Sequence, residues 1–414
     1  MRRLAAAVLA AWLAVVAAGV AGCASTGGGA PAGPFVRLPA PQLHRSVARA
    51  YVFLNQMMDK YTAGPTPRLV QSFAGGVLGA RRFTASEIYD DAVLIDAYLS
   101  AHTPAALSRA EIIGNGLLYV QAHDPLKDGR IRSAYAPTPL RAPGDVMIFD
   151  LATPAGNMAW AGQALVQLYA ASGRRAYLQG AEAIAIWIQV NCYDTRGAGG
   201  YTGGETASGQ LIEWKSTEHN IDIYALFSML ASVTGNRIWS AGAAWAKRFI
   251  ASMWDPAAAR FDVGTLSDGV TTNDSETPED INSWSYLALR DPVYAGSVDW
   301  DVRNLAVGAG GFGGVSNCRG DRTGVWFEGT AHLADALEVR GHPGDSELAE
   351  GYLSDIYHAQ MRGPQHDRLG VIAASRNGLT DCSGNFYYTS LHTGTTAWYI
   401  LAASTVDPFA LISG

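Results

Sequence analysis

The stretch GNMAWAGQALVQLYAASGRRAYLQGAEAIAIWIQVN, residues 156–191, decides the fold. Apolar residues recur at helical period from Met158 to Tyr169 and again from Tyr177 to Ile188. Between the two runs, Ala171-Ser172-Gly173-Arg174 supplies a glycine that stops the first helix just before the second begins. A connection that short makes the helices antiparallel neighbours, so the unit is a helical hairpin. Its second helix, Arg174–Gln189, sets its charges to one side as a surface helix does. Its first opens on a polar and aromatic group, Gly156-Asn157-Met158-Ala159-Trp160.

The same pattern extends in both directions. Twelve stretches show helical period: 42–61, 86–100, 104–123, 156–173, 174–191, 217–235, 236–254, 279–290, 294–305, 324–341, 344–361 and 393–404. Strand-like alternation is confined to short pieces, so the fold class is all-α. Tight turns such as Thr234-Gly235-Asn236 join the members of a pair, whereas long loops such as Tyr193–Trp214 and Gly308–Thr323 join successive pairs. With all tight turns at one end, the long loops and any chemistry they carry gather at the other. A weak self-similarity of roughly 60–70 residues marks a repeat whose hairpins cannot bury their apolar faces alone. Closing six hairpins into a ring buries them; an open solenoid is the alternative. The chain resembles the six-hairpin, (α/α)6-toroid glycosidases over essentially all of residues 40–410. The resemblance implies an (α/α)6 barrel enzyme acting on carbohydrate, without naming a subfamily.

Six helix starts carry the chemistry-bearing residues: Tyr89-Asp90-Asp91, Asn157 with Trp160, Lys215-Ser216-Thr217-Glu218-His219-Asn220, Asp280-Ile281-Asn282-Ser283-Trp284, Trp326-Phe327-Glu328, and Thr393 to Trp398. Acidic residues in a first turn often only cap the helix or complement its dipole. Thr277-Pro278-Glu279-Asp280 reads as such a cap, with proline at the first helical position, and Thr217-Glu218 allows one. Thr84-Ala85-Ser86-Glu87 reads as a capping box that places Asp90 and Asp91 in the second turn, too deep to cap. Asp222 lies one turn beyond Glu218, and Glu328 lies inside its helix. Trp160, Trp214, Trp284, Trp326 and Trp398, with Tyr89, Tyr201 and Tyr387, suit packing singly and a sugar-stacking cleft collectively. The Gly-rich pieces 197–204 and 308–314 lack the Lys-Ser/Thr of a phosphate loop and read as cavity-lining loops.

Glycosidic cleavage needs one protonated carboxyl and one ionised carboxylate. The expected acid/base residues are Glu218 with Asp90 or Asp91, then Asp280 or Glu328. Substrate contacts are expected from Tyr89, Asn157, Trp160, Tyr201, Trp214, Lys215, His219, Asn220, Asp222, Trp284, Trp326, His392 and Trp398. A polysaccharide lyase using Tyr89, His219, Asn220 and His392, a free-sugar epimerase, and a non-catalytic glycan binder are the alternatives. No metal or cofactor is indicated.

The 414 residues are 48% hydrophobic and 16% charged, with a net charge of −7 and no basic concentration, which excludes nucleic acid as an expected partner. The start of the chain has its own logic. Met1-Arg2-Arg3 precedes an uncharged run from Leu4 to Ala21 that ends Val20-Ala21-Gly22-Cys23. This is a signal peptide over residues 1–22, and V-A-G-C resembles a bacterial lipobox whose Cys23 becomes lipidated. An uncleaved helix or an ordinary signal peptide is the alternative. Residues 23–38 then form a Gly/Pro/Ala/Ser tether, and 39–414 one catalytic domain. The expected protein is an exported monomer anchored to a membrane by its lipid. Three cysteines remain, and Cys318 with Cys382, both in Gly- and Asp-containing loops, is the favoured disulfide. Radiolabelled palmitate should enter the full-length protein and be lost in Cys23→Ala; equal labelling of both would refute lipidation at this residue.

Overall fold

In the computed structural model, residues 37–412 are described; the expected signal peptide, Cys23 and nearly all of the tether lie outside them. Thirteen helices form among the described residues: α1 (Ala40–Asp59), α2 (Gly76–Ala80), α3 (Ile88–Leu99), α4 (Pro104–Ala122), α5 (Ala155–Ser172), α6 (Arg175–Asn191), α7 (Thr217–Thr234), α8 (Arg237–Ser252), α9 (Glu279–Leu289), α10 (Ala295–Leu305), α11 (Phe327–Arg340), α12 (Asp345–Arg362) and α13 (Thr393–Ala403). All twelve expected helices are present, and the short α2 is the addition. No described helix is long and apolar enough to cross a membrane.

The odd-numbered helices from α3 to α13 pack in sequence around a ring, and α13 returns to α3. They are buried all round: Ala92, Val93, Leu94 and Ile95 of α3 are each fully inaccessible, as a helix enclosed by helices must be. The outer partners α4, α6, α8, α10 and α12 each pack on the inner helix before them, and α1 completes the set against α13. The outer helices are amphipathic. α8, for example, buries Trp239, Ala246, Phe249 and Ile250 and leaves the other side to solvent. At Gly162 the inner and outer layers nearly touch: a Cβ there would stand 2.8 Å from Leu226 and 3.3 Å from Ile184. The tight turns use left-handed Gly173, Gly235 and Gly341 as helix stops.

At the opposite end, one hydrogen-bond pattern repeats six times. The first amide of each inner helix donates to a carbonyl in the long loop that follows its hairpin: Ile88 to Ser133, Ala155 to Gly203, Thr217 to Val263, Glu279 to Asn317, Phe327 to Ala373, and Thr393 to Ser72, at 2.8–3.1 Å. Two residues earlier in each loop, an amide donates to the side chain at the fourth position of the next inner helix. These bonds are Val70 to Asp91, Ile131 to the Met158 sulfur, Tyr201 to Asn220, Phe261 to Asn282, Val315 to Thr330 and Val371 to Thr396, at 2.8–3.1 Å. Each loop thus stitches one inner helix to the next. The last stitch, Thr393 to Ser72, joins the chain's end to its beginning and closes the ring.

The other end of the barrel is stoppered by the residues after α13. Gln167 of α5 donates to Ala410 O (2.7 Å) and accepts from Ile412 N (2.9 Å). Asp407 pairs with Arg290 at 2.7 Å. Phe409 packs on Trp160 and Trp284, with ring centroids 5.2 and 5.5 Å away.

Two sequence expectations change here. α3 begins at Ile88, because Ser86 and Glu87 pair as a strand with Tyr135 and Ala134. Asp90 and Asp91 therefore lie in the first turn, and no capping box forms. The Gly308–Gly314 piece is a β-hairpin, Ala306–Ala309 against Phe312–Val315, packed on α12 instead of lining a cavity. Removing a stitch leaves a buried amide without a partner, at a cost of about 1–3 kcal/mol per group. Asn220→Ala, which also loses bonds to Tyr201 O and Ser216 O, should lower the urea midpoint by that order; an unchanged midpoint would show the stitch to be dispensable.

Candidate active site

The second residues of the inner helices, two positions before the stitching residues, are Tyr89, Gly156, Glu218, Asp280, Glu328 and Gly394. Tyr89, Glu218 and Asp280 are part-exposed although residues 90–93, 220–223 and 281–284 just below them are buried, so the ring meets solvent at this level. Ser216 caps α7 by accepting from His219 N, and Pro278 precedes α9 without a side-chain cap. Glu218 is therefore not needed as a helix cap, whereas Asp280 accepts from the backbone amide of Ile281 in the first turn of α9.

A hairpin pairing Leu379–Thr380 with Phe386–Tyr387 leans over these carboxylates. The expected disulfide, Cys318–Cys382, ties this hairpin to the loop before α11. It carries Asp381, whose oxygens accept from the amides of Ser383, Gly384 and Asn385, and Tyr387, whose ring stands 5.3 Å from Trp326. The charges interact. Burial, with Asp381 nearby, pushes Glu218 up to about 7. Burial and then the Glu218 charge hold Asp280 well above the carboxylate range. Burial, with Asp381 and the other carboxylates, likewise keeps the Tyr387 hydroxyl protonated. His219 beside Glu218 is pushed down to about 4 by burial and is neutral at physiological pH, with Nδ1 unpartnered. Gly156 makes room for it: a Cβ there would approach the His219 ring at 2.6 Å and Asp222 Oδ2 at 2.8 Å.

Behind this surface lies a sealed ionic network. His392 donates through Nε2 to Asp90 (3.1 Å), and its Nδ1 faces Thr395 Oγ1 (2.9 Å) and Glu328 (3.2 Å). Glu328 also accepts from Tyr89 Oη (2.7 Å), which accepts from Trp398 Nε1 (2.6 Å). Burial opposes a charged imidazole, but Asp90 and Glu328 outweigh it and raise His392 to about 10. Each contact is worth on the order of 4 kcal/mol in a partly screened interior, against several for desolvating the cation. One cation thus joins α3, α11 and α13. On the next side, His332 Nδ1 meets Glu279 at 3.2 Å, and burial drives its pKa down to about 3.

The structure divides the sequence candidates. Glu218, Asp280, His219, Tyr89, Trp214 and Asn157 reach the part-exposed level, with Trp214 against His219 at 5.5 Å and Asn157 donating to Ser133 Oγ. Asp90, Glu328 and His392 lie just beneath it. Asp91, expected as a catalytic candidate, is fully buried and accepts from Val70 N and Ser86 Oγ; it is the α3 stitch. Lys215, expected at the sugar, is buried with Nζ donating to the carbonyls of Arg196 and Gly199. Tyr201 and Asn220 are buried against each other. Asp222 is buried below Gly156. Trp160, Trp284 and Trp398 are a packed aromatic floor with ring centroids 5.3–6.0 Å apart, and Trp326 is 3% exposed; none offers an open face. Sequence reading missed Asp381 and Glu87 as site residues and named Tyr387 only among the aromatics near the helix starts. Asp381 was marked by its neighbour Cys382. Glu87, part-exposed at the start of α3, is pushed up to about 8 by burial and then by Asp90 and Asp150. Among the described residues, no cluster of His, Cys, Asp and Glu is arranged to hold a metal ion.

Solved structures share this architecture. A sugar epimerase from a ruminal bacterium superposes with a TM-score of 0.65 at 11% identity, covering 89% of this chain and 99% of the other. The fold is that of the six-hairpin glycosidases. A GH76 alpha-mannanase from Bacteroides thetaiotaomicron matches this six-hairpin chain with a TM-score of 0.60 at 11% identity (89% and 98% covered), and a glycosidase solved with glucose at 0.60 and 14% (90% and 98%). The sequence itself matches no family model and no curated protein.

The buried network makes stability depend on pH in a definite direction. His392 titrates near 10 when folded and near 6.5 when unfolded, so its contribution is complete below about pH 6.5 and lost as pH rises through 10. Glu218 and Glu87, raised to about 7 and 8, also favour the folded state on the acid side. Below pH 6.5 the buried neutral His219 and His332 act in the opposite direction, so the fall is expected above it: denaturation midpoints should drop from about pH 6.5 to pH 10, and His392→Gln should flatten that drop; a wild-type midpoint that climbs over that interval would contradict the ion network.

Proposed function

We propose that this protein hydrolyses glycosidic bonds, with Asp280 as proton donor and Glu218 as its carboxylate partner. The observation that carries the reading is the pair itself: two part-exposed carboxyl groups at equivalent positions of neighbouring inner helices, α7 and α9, both raised, Glu218 by burial and Asp381, and Asp280 by burial and the Glu218 charge. When Glu218 ionises near pH 7, its charge helps Asp280 keep a proton. The pair then holds one acid and one base at the pH of use, as glycoside hydrolysis requires. Asp280 protonates the departing glycosidic oxygen. Glu218 activates water or attacks the anomeric carbon, and the anomer first formed, read by proton NMR, distinguishes these routes. Tyr387, kept protonated, can donate to a substrate oxygen. Asp90 and Glu328 act through His392, holding the three helices on which the far wall is built. The similar folds of a mannanase, an epimerase and a glucose-bound glycosidase support a carbohydrate substrate. Activity would lie outside the cytoplasm if Cys23 anchors the chain as expected.

A second reading has its own observation. His219 is neutral and part-exposed beside Glu218, with its unpartnered Nδ1 buried, so its Nε2 would be the atom to take a sugar C–H proton in an epimerase. The lyase reading has less support, because Lys215 is turned away from the mouth. Reaction in heavy water distinguishes the two: hydrolysis leaves carbon-bound hydrogens unexchanged, whereas epimerisation through a base introduces deuterium at carbon. Asp280→Asn and Glu218→Gln should each fold and lose about a hundredfold to ten-thousandfold in kcat/KM. The wild-type kcat/KM should rise with pH through about 7. Full activity in both variants against a confirmed substrate would overturn the assignment.

A further inference from the structure

The loop between α6 and α7 has two working sides. Its inner side brings Trp214 against His219 at the cavity. Its outer side, with the end of α6, forms a groove lined by Asn191, Tyr193, Arg196, Thr202, Leu211 and Glu213, with a volume of about 230 Å3. That is below the roughly 300–1,000 Å3 of clefts that enclose drug-sized ligands, so the groove suits one small unit of a longer chain. Tyr193 is 46% exposed and stacked on Trp245, with centroids 5.2 Å apart and planes 19° from parallel. The indole N–H of Trp245 is in turn pinned by the carbonyls of Asp194 and Gly200, both at 3.2 Å. The exposed phenol ring is therefore held rigidly. Leu211 adds apolar surface at 59% exposure. Glu213, 62% exposed, forms a 3.3 Å pair beside it with Arg196, whose guanidinium is held by Asp194, Glu213 and the Asp268 carbonyl, so the rim's water-accessible group is the Glu213 carboxylate.

We infer that this groove is an accessory glycan-binding site, distinct from the cavity, that holds a sugar unit of the same polymer or a neighbouring chain. A supported aromatic face next to a rim carboxylate fits a pyranose, whose C–H face stacks while its hydroxyls donate to the carboxylate. A peptide is less well served, because the described loop pairs its own edge here, Gly204–Glu205 with Leu211–Ile212. Sharing one loop with the cavity wall, the groove lets a bound chain raise the local concentration of its remaining units at the mouth.

The inference rests on the carbohydrate reading of the cavity, so the test separates the two. Soluble yeast α-mannan, dextran and glycol chitosan are cast into native gels, and the retardation of Asp280→Asn is compared with that of Asp280→Asn carrying Leu211→Asp or Tyr193→Ala. Leu211→Asp leaves the aromatic stack intact and guards against a folding artefact. At least one polymer should retard the parent, and each groove variant should weaken the apparent affinity fivefold or more. In the otherwise wild-type chain, Leu211→Asp should leave kcat on a short oligosaccharide unchanged. Equal retardation of parent and both groove variants would overturn the groove while leaving the catalytic reading intact. No retardation by any polymer would also overturn it, and turnover of oligosaccharide would show that the cavity reading survives.

Discussion

Ring closure depends on backbone amides that have nowhere else to go. The first turn of every helix has N–H groups without an intrahelical partner, and here six such turns point toward one face. The loops between hairpins supply the acceptors, Ser133, Gly203, Val263, Asn317, Ala373 and Ser72, and return an amide to the fourth residue of the next helix. Because each loop satisfies two helices at once, no hairpin is complete without its neighbours. The requirement propagates around the barrel until α13 meets the loop before α3.

That arrangement also sets the electrostatics of the candidate site. Six helix N-termini favour anions, each by about 0.3–1 kcal/mol, whereas enclosing a carboxylate costs several kcal/mol. The second effect wins. Glu218 and Asp280 are raised, not lowered; the Asp381 charge adds to the shift of Glu218, and the Glu218 charge to that of Asp280. Beneath them, the His392 cation sits between Asp90 and Glu328 and pairs with both. The same ring level thus holds an unneutralised carboxyl pair at the surface and a compensated triad beneath it.

The helices and the all-α toroid were legible from the sequence because period and glycine stops are local signals. Cys318 and Cys382 were legible from their loops. The roles within each helix start were not. Asp91, Asn220, Asn282, Thr330 and Thr396 share a fourth-position duty that becomes visible only when the six starts are aligned on their first helical residue. Without that alignment, Asp91 reads like Asp90, though one stitches a loop and the other meets a buried cation. The tryptophans misled for a related reason. An inner helix is packed on every side, so Trp160, Trp284 and Trp398 fill the axis instead of facing a sugar. Lys215 lies on the loop side of its helix start, where carbonyls of Arg196 and Gly199 capture it.

The segment after α13 has a consequence for traffic. With Phe409 wedged under Trp160 and Trp284, and Gln167 fastening Ala410 and Ile412, the barrel is a cup instead of a pipe. A long polymer cannot be drawn through it end to end. Whatever enters must leave by the same rim, so departure of one fragment and arrival of the next compete for a single doorway.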